Sequence, residues 1–178
     1  MKYLIASDIH GSLYYTNLLK SLIEKENPNK IILLGDLYCH GPRNPFPQDY
    51  DPKKVCEYLN SIKSKLIVVK GNCDAEVDEM ISDFKFKKSY TLIYNGKTIF
   101  FTHGHKYNID NFPEIDFDIM VYGHTHKGFI EYKNGKIIAN TGSLSLPKDG
   151  SDRSYMIIEN NKIVLKGIRA NELSQLSF

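Results

Sequence analysis

Five short apolar runs in this chain each stop on a polar residue of metal-binding type. Tyr3–Ser7 leads to Asp8, Ile31–Leu34 to Gly35-Asp36, Leu66–Val69 to Gly71-Asn72, Lys97–Thr102 to His103, and Asp118–Tyr122 to Gly123-His124. Apolar runs this short, closed by glycine or a polar residue, read as buried strands. In open α/β sheets, ligands sit beyond the carboxyl ends of strands. Five strand ends carrying Asp, Asn or His therefore demand a fold that delivers them to one rim. All six histidines belong to the same pattern. They fall in Asp8-Ile9-His10, at His40 just past Gly35-Asp36, in His103-Gly104-His105, and in Gly123-His124-Thr125-His126.

The elements between these runs suggest how the rim is built. Ser12 is a candidate cap for a helix running to about Asn27, with Leu18, Leu19, Leu22 and Ile23 on one face. Lys53–Ser64 reads as a second helix, with Val55, Leu59 and Ile62 inward, and Ala75–Ile81 as a short third. The loop from Leu37 to Pro52 holds four of the seven prolines, and irregular segments of this length are often functional. Beyond residue 88 the pattern turns to hairpins. Asn95-Gly96 and Asn134-Gly135 are strong two-residue turn signals, and Asn160-Asn161 joins a third pair of strands. The tail after Arg169 is polar and predicts no element. A β-α-β-α-β first half followed by hairpins points to two packed sheets with helices outside. The 178 residues suit a single domain spanning 1–178.

Charge and cysteine usage exclude several classes. A formal net charge of +2 gives no broad footprint for nucleic acid or a membrane surface. No stretch approaches the roughly 18 apolar residues of a membrane span. Asp8 interrupts the N-terminal apolar run too early for a signal peptide. Cys39, Cys56 and Cys73 are odd in number and widely spaced, so no disulfide framework is expected. A reduced, cytoplasmic setting follows as the expectation. Exposed apolar residues in the later hairpins suggest a homo-oligomer.

Each motif alone has an ordinary explanation: Asp-x-His and His-x-His recur by chance, and Asn72 suits a turn. Their combination points to metal. Two divalent ions roughly 3.5–4 Å apart can clamp the attacking and leaving oxygens of a phosphoryl group. They need an anionic bridge, for which Asp36 is placed. Mixed His, Asp and Asn donors favour a first-row transition metal over Mg or Ca. With two carboxylates the site keeps a formal positive charge that attracts phosphate. The spacing of Asp8-x-His10 and His124-x-His126 predicts side chains on one side of an extended segment.

Asp8-x-His10, Gly35-Asp36, Gly71-Asn72-x-Asp74, His103 and Gly123-His124-x-His126 together resemble the calcineurin-like metallophosphoesterase signature, in order and in strand-end placement. Asn140-Thr141-Gly142-Ser143 resembles a further turn of that family. The likeness extends to small bacterial phosphodiesterases of the YfcE type through Ala6–Ser12, His40–Asn44, Gly71–Asp74 and Thr102–His105. It implies a four-layer αββα sandwich of two mixed sheets. It implies one metal held by Asp8, His10, Asp36 and His126 and a second by Asp36, Asn72, His103 and His124, with Mn2+ the expected ion. A metal-bridging hydroxide attacking a phosphodiester is the implied reaction, with a small diester as substrate.

One position departs from the pattern. Many relatives carry histidine where this chain has Cys73, and a thiol is a poor proton donor or phosphate contact. The departure favours leaving groups that need little protonation. His105 is a candidate to take over part of that role, and Asp74 to orient a ligand. His40 and Arg43 in the Pro-rich loop are candidates for substrate contact, since a guanidinium fork matches phosphate oxygens. The alternatives are a phosphomonoesterase or nucleotide phosphatase on the same site, or a non-catalytic scaffold like the retromer subunit of this fold.

Overall fold

In the computed structural model, which describes residues 1–178, side-chain alternation along the strands sorts the interior into layers. In β1 (Tyr3–Ala6) and β2 (Lys30–Leu33), Leu4, Ala6, Ile31 and Leu33 face one way. They meet Tyr15, Leu19 and Leu22 of α1 (Leu13–Glu26) and Val55 and Leu59 of α2 (Pro52–Ser61). Tyr3, Ile5 and Ile32 face the other way, into a second core between two sheets. Period-two alternation thus lets one strand serve two hydrophobic layers.

The first sheet runs β12-β11-β10-β1-β2-β3-β4, adding β3 (Leu66–Val69), β4 (Phe86–Lys87), β10 (Ser154–Glu159), β11 (Lys162–Gly167) and β12 (Glu172–Ser177). β1, β2, β3 and β4 are mutually parallel, whereas β10 returns antiparallel beside β1. The second sheet runs β5-β6-β7-β9-β8, from β5 (Tyr90–Tyr94), β6 (Lys97–Phe101), β7 (Ile119–Tyr122), β8 (Gly128–Lys133) and β9 (Lys136–Thr141). Here β6, β7 and β9 are parallel. Ile99, Phe101, Ile119, Val121 and Ile137 of this sheet pack against Ile5, Ile32 and Met156 of the first.

Two mixed sheets packed face to face are therefore the architecture, as expected. α1 and α2 cover the outer face of the first sheet. The outer face of the second, at Phe100, Met120 and Tyr122, is covered by Ile109, Phe112 and Phe117 from the irregular segment before β7. No helix is long and apolar enough to cross a membrane.

Local signals account for most element ends. The Ser12 side chain accepts from the Tyr15 N–H at the start of α1, and Asn27 closes it at φ 45°. Asp51 caps α2 ahead of Pro52. α2 stops at Ser61, so Ile62 lies just past its end. The polar tail corrects the sequence expectation: residues 172–177 form the edge strand β12, paired antiparallel to β11. Its stabilisation comes from backbone pairing, with only Leu176 and Phe178 packing inward. β4, two residues long, was equally invisible to periodicity.

A charged cluster ties α1 to the sheet beneath it. Glu26 pairs with Lys2 and Lys166, each at 2.7 Å, and accepts from the Tyr155 hydroxyl at 2.9 Å. Burial opposes the charged carboxylate, but Lys166, Lys2 and Tyr155 outweigh it and hold its pKa at about 2, against an ordinary 4.5. Because the folded value is the lower one, this stabilisation is complete above pH 4.5 and is lost as pH falls toward 2. We expect Glu26→Gln to cost about 2–3 kcal/mol at neutral pH. It should also flatten the acid side of a melting-temperature profile; an unchanged acid limb would remove Glu26 as its cause.

Candidate metal centre

The parallel strands of both sheets end at the same rim. β1 delivers Asp8 and His10, β2 delivers Asp36, β3 delivers Asn72 through Asp74, β6 delivers His103, and β7 delivers His124 and His126. The two-residue spacing does not work by strand alternation, which corrects the sequence expectation. Asp8, His10, Asp36, His124 and His126 all lie at positive φ, between 52° and 63°. At these five positions the chain curls instead of running extended. Asp and His are among the non-glycine residues that tolerate this region best.

The two carboxylates are arranged alike. Asp8 Oδ2 accepts from the His124 backbone N–H at 2.9 Å, and Asp36 Oδ1 accepts from the Cys73 N–H at 2.8 Å. Each keeps one oxygen for the centre. Asp8 Oδ1 is buried and has no hydrogen-bond donor. Asp36 Oδ2 lies 3.8 Å from His10 Nε2 and 3.5 Å from His103 Nε2, between two groups of donors.

The imidazoles are held in a matching way. Nδ1 of His10, His103 and His126 faces the carbonyl of Cys39, Leu34 and Leu146 at 2.8, 2.6 and 2.6 Å. A carbonyl only accepts, so each Nδ1 carries the proton and, in the neutral ring, Nε2 carries a lone pair. The Nε2 atoms of His10 and His126 then stand 3.2 Å apart, and His126 Nε2 is 3.1 Å from Asp8 Oδ1. On the other side of Asp36, His103 Nε2 lies 3.0 Å from Asn72 Oδ1 and 3.2 Å from His124 Nδ1. Lone pairs converging at these distances repel unless a cation stands among them. The orphaned Asp8 oxygen and the mixed N/O donor set both fit first-row divalent ions.

Titration tells the same story. Burial would raise the Asp8 carboxyl, but the imidazoles of His10 and His126 close beside it hold it well below the ordinary carboxylate range. Burial works against a charged His10, yet Asp8 raises it. Burial and the neighbouring His103 ring push His124 down to about 4. The pocket draws in positive charge on its Asp8 side.

A supporting layer fixes the loops. Asp74, buried, accepts from the N–H groups of Asp36, Leu37 and Gly71 at 2.9, 2.9 and 2.7 Å. Ser143 and Ser145 both donate to the Asp8 carbonyl. Asn140 donates to the Gly123 carbonyl at 2.7 Å and accepts from the Gly142 N–H at 2.8 Å. Gly71 and Gly123 permit this crowding: a Cβ on Gly71 would sit 2.1 Å from Asp36 Oδ1, and one on Gly123 2.6 Å from Asp8 Oδ2.

The other candidates are spread around the centre. A cleft of about 770 Å³ opens over it, lined by Asp36, Asn72, Cys73, His124 and His126 together with Arg43 from the Pro-rich loop. Burial and the negative charge of Asp36 push the Cys73 thiol up to about 12. His105 is exposed, its ring 5.4 Å from that of His103, and it does not line the cleft. His40 also stays out of the cleft lining; its ring stacks on Phe46 at 4.3 Å and meets Tyr50 edge-on. Sequence reasoning missed Ser145 and Lys148. Ser145 supports a ligand loop, and Lys148 lines the cleft. Neither sits in a recognisable motif.

Comparison with known proteins agrees with this geometry. Residues 1–162 match the family model of the calcineurin-like phosphoesterase superfamily domain. The chain is 40% identical over 176 residues to Phosphodiesterase YfcE of Escherichia coli (strain K12), covering 98% of this chain and 95% of that protein. The solved structure of the E. coli YfcE phosphoesterase superposes with a TM-score of 0.95 at 36% identity, over 99% of each chain. Vps29 of Cryptosporidium parvum shares the fold, at a TM-score of 0.66 and 21% identity over 99% of this chain and 98% of that one.

Removing the Asp74 carboxylate should loosen the centre without touching a donor atom. Asp74→Ala strands three backbone N–H groups, and we expect it to lower stability by about 3 kcal/mol or more. Its affinity for a divalent ion, measured calorimetrically, should fall about ten- to a hundredfold. Asp74→Asn, which keeps one acceptor oxygen, should fall between the two. Wild-type affinity in Asp74→Ala would show that these loops hold themselves.

Proposed function

The chain belongs to the calcineurin-like phosphoesterase superfamily, and on that premise we propose that it is a metal-dependent phosphodiesterase acting on small diesters, with residues 1–178 as one catalytic domain. The observation that carries the proposal is the unpartnered, buried Asp8 Oδ1 facing the Nε2 atoms of His10 and His126. Asp8, His10, Asp36 and His126 would hold one divalent ion, and Asp36, Asn72, His103 and His124 a second, with Asp36 between them. Ions held there would polarise a phosphoryl oxygen and acidify water for attack on phosphorus. Mn2+ is the ion we assign, which elemental analysis of the isolated protein tests.

The chain's own groups define the rest. The carbonyls of Cys39, Leu34 and Leu146 keep three imidazoles in one tautomer and orientation. Cys73, beside Asp36 on the cleft wall, is a far weaker acid than an imidazolium, because burial and Asp36 push its thiol up to about 12, and so a poorer proton donor as the leaving group begins to depart. Burial and the nearby His103 and Lys106 lower His105, which is therefore uncharged near neutral pH and has no surplus proton to give. Both residues favour leaving groups that depart as stable anions, such as phenolates. The near-balanced charge supports a small diester over nucleic acid. Exposed Ile93 and Tyr132 support self-association, which light scattering showing only monomer would remove. Three free cysteines support a cytoplasmic setting, open to test by cell fractionation. A scaffold role without catalysis has less support, because every ligand position is filled.

The first test is hydrolysis of bis-p-nitrophenyl phosphate against p-nitrophenyl phosphate by apo protein reloaded with Mn, Ni, Co, Zn or Mg. We expect metal-dependent cleavage with the diester preferred. Monoester preference would favour a phosphatase, and inactivity with every metal a scaffold. Asp36→Asn should reduce turnover to background while circular dichroism stays native; near-native turnover would end the two-ion scheme. Cys73→His should raise the ratio of monoester to diester cleavage, and an unmoved ratio would detach that position from leaving-group choice.

A further inference from the structure

Two cations line the cleft beside the candidate ligand residues, and neither is held in an ion pair. Arg43 and Lys148 both face the space over Asp36, and neither takes part in an ion pair. The acid next in sequence to Lys148, Asp149, is engaged by Lys127 instead. Both cations stand on braced turns. Asn44 closes the Arg43 turn, its N–H donating to the Gly41 carbonyl at 3.1 Å and its side-chain amide to the His40 carbonyl at 2.9 Å. Pro42 precedes Arg43 and Pro45 follows Asn44, which stiffens the turn further. The Lys148 N–H donates to the carbonyl of His126 at 3.2 Å, and the Ser151 hydroxyl stands within donating distance of both that carbonyl and the Lys148 carbonyl, at 2.9 and 2.8 Å. Lys148 is thus tied to a metal-ligand segment by its main chain while its ammonium stays free.

The cleft is also too large and too polar for a scissile phosphate alone. Its volume, about 770 Å³, is that of a site for a whole small molecule. Only two of its twelve lining residues are hydrophobic, so a large apolar substituent finds little to pack against. A phosphodiester carries a single negative charge, and the metal centre is already suited to it. Two further cations are surplus to that need.

We propose that Arg43 and Lys148 form a subsite for a second anionic group, so that the preferred substrate is a phosphodiester carrying a phosphate or carboxylate away from the scissile bond. The inference rests on the phosphodiesterase reading and narrows its substrate class. A guanidinium fork and a mobile ammonium together suit a phosphate monoester group, one bidentate and one as a point charge. Both lie at the cleft's open rim, so their contribution weakens as salt rises.

The test uses two substrates with the same scissile bond and leaving group: the p-nitrophenyl ester of thymidine 5′-phosphate, with and without a 3′-phosphate. The wild-type, Mn-loaded protein should prefer the 3′-phosphorylated ester by about tenfold in kcat/KM, mostly through KM, and less so at high salt. Lys148→Gln and Arg43→Gln should each shrink that preference to about threefold or less, while Lys148→Arg keeps most of it. Calorimetric binding of thymidine 3′,5′-bisphosphate against thymidine 5′-phosphate should show the same order without turnover. Equal kcat/KM for the two esters in the wild type, or a preference that survives both glutamine variants, overturns the subsite. If neither ester is cleaved with any metal, the phosphodiesterase reading fails, and the binding comparison still decides the subsite by itself.

Discussion

Asp8 gives one carboxylate oxygen to a backbone N–H and holds the other, buried, against two imidazole nitrogens with no donor of its own. A buried charge left in that state is costly, and much of the rim can be traced to tolerating it. The loop carrying Asp8 is fixed at its carbonyl by Ser143 and Ser145. The rings that crowd its free oxygen are locked at Nδ1 by main-chain carbonyls. Asp36 repeats the pattern, with Cys73 N–H on one oxygen and Asp74 bracing the turn beneath. Negative charge and lone pairs are concentrated on one point by a shell of neutral hydrogen bonds that cannot itself neutralise them. A protein stable enough to sustain that arrangement gains from any cation that enters it, so metal affinity and fold stability are linked through the same few atoms.

The backbone contributes as much as the side chains. Five of the seven candidate ligand positions adopt the left-handed region, which costs each non-glycine residue roughly 1–3 kcal/mol unless its surroundings enforce it. Here the enforcement is visible. Asp8 N–H donates to the Gly35 carbonyl at 3.1 Å and His10 N–H to the Asp36 carbonyl at 2.9 Å, so the loops after β1 and β2 hold each other's curvature. Gly71 and Gly123 stand where any side chain would strike Asp36 or the Ser7-Asp8 pair. The strained ligands and the space-making glycines belong to one device: chain segments are brought closer than ordinary packing allows, so that donors from both sheets reach a common centre.

Much of this was legible in the sequence because the strands are short, apolar and end abruptly. β1, β2, β3, β6 and β7 all lie where the runs predict, and each is followed by the polar residue that marked it. What the sequence hid has physical reasons. β12 is a polar edge strand held by main-chain pairing to β11, which leaves no hydrophobic period to read. The curl at Asp8-x-His10 imitates the two-residue spacing of a strand, so spacing alone led to the wrong backbone. The carbonyls of Cys39, Leu34 and Leu146 orient ligands without any dependence on their own side chains. Lys148 resembles any surface lysine until the turn beneath it is seen to be bonded to His126.

Fold alone does not separate the functions available to this architecture, since Vps29 superposes on most of the chain at 21% identity. The distinction has to come from side chains at strand ends and from the loops above them. The strand ends are rigid, because they emerge from a core buried on both faces, and they suit a centre whose donors must stay fixed. The loops at 37–51 and 143–153 are irregular, yet their cleft-facing turns are braced against the ligand segments themselves. That division matters for how such a chain changes over time. A substitution at a strand end perturbs the donor set, whereas one on a loop alters what the substrate meets beyond the scissile bond. Cys73 sits at the border between the two, bonded through its N–H to Asp36 while its thiol faces the cleft. A substitution there would therefore change the group that faces the cleft without surrendering the backbone contact that holds the Asp36 carboxylate.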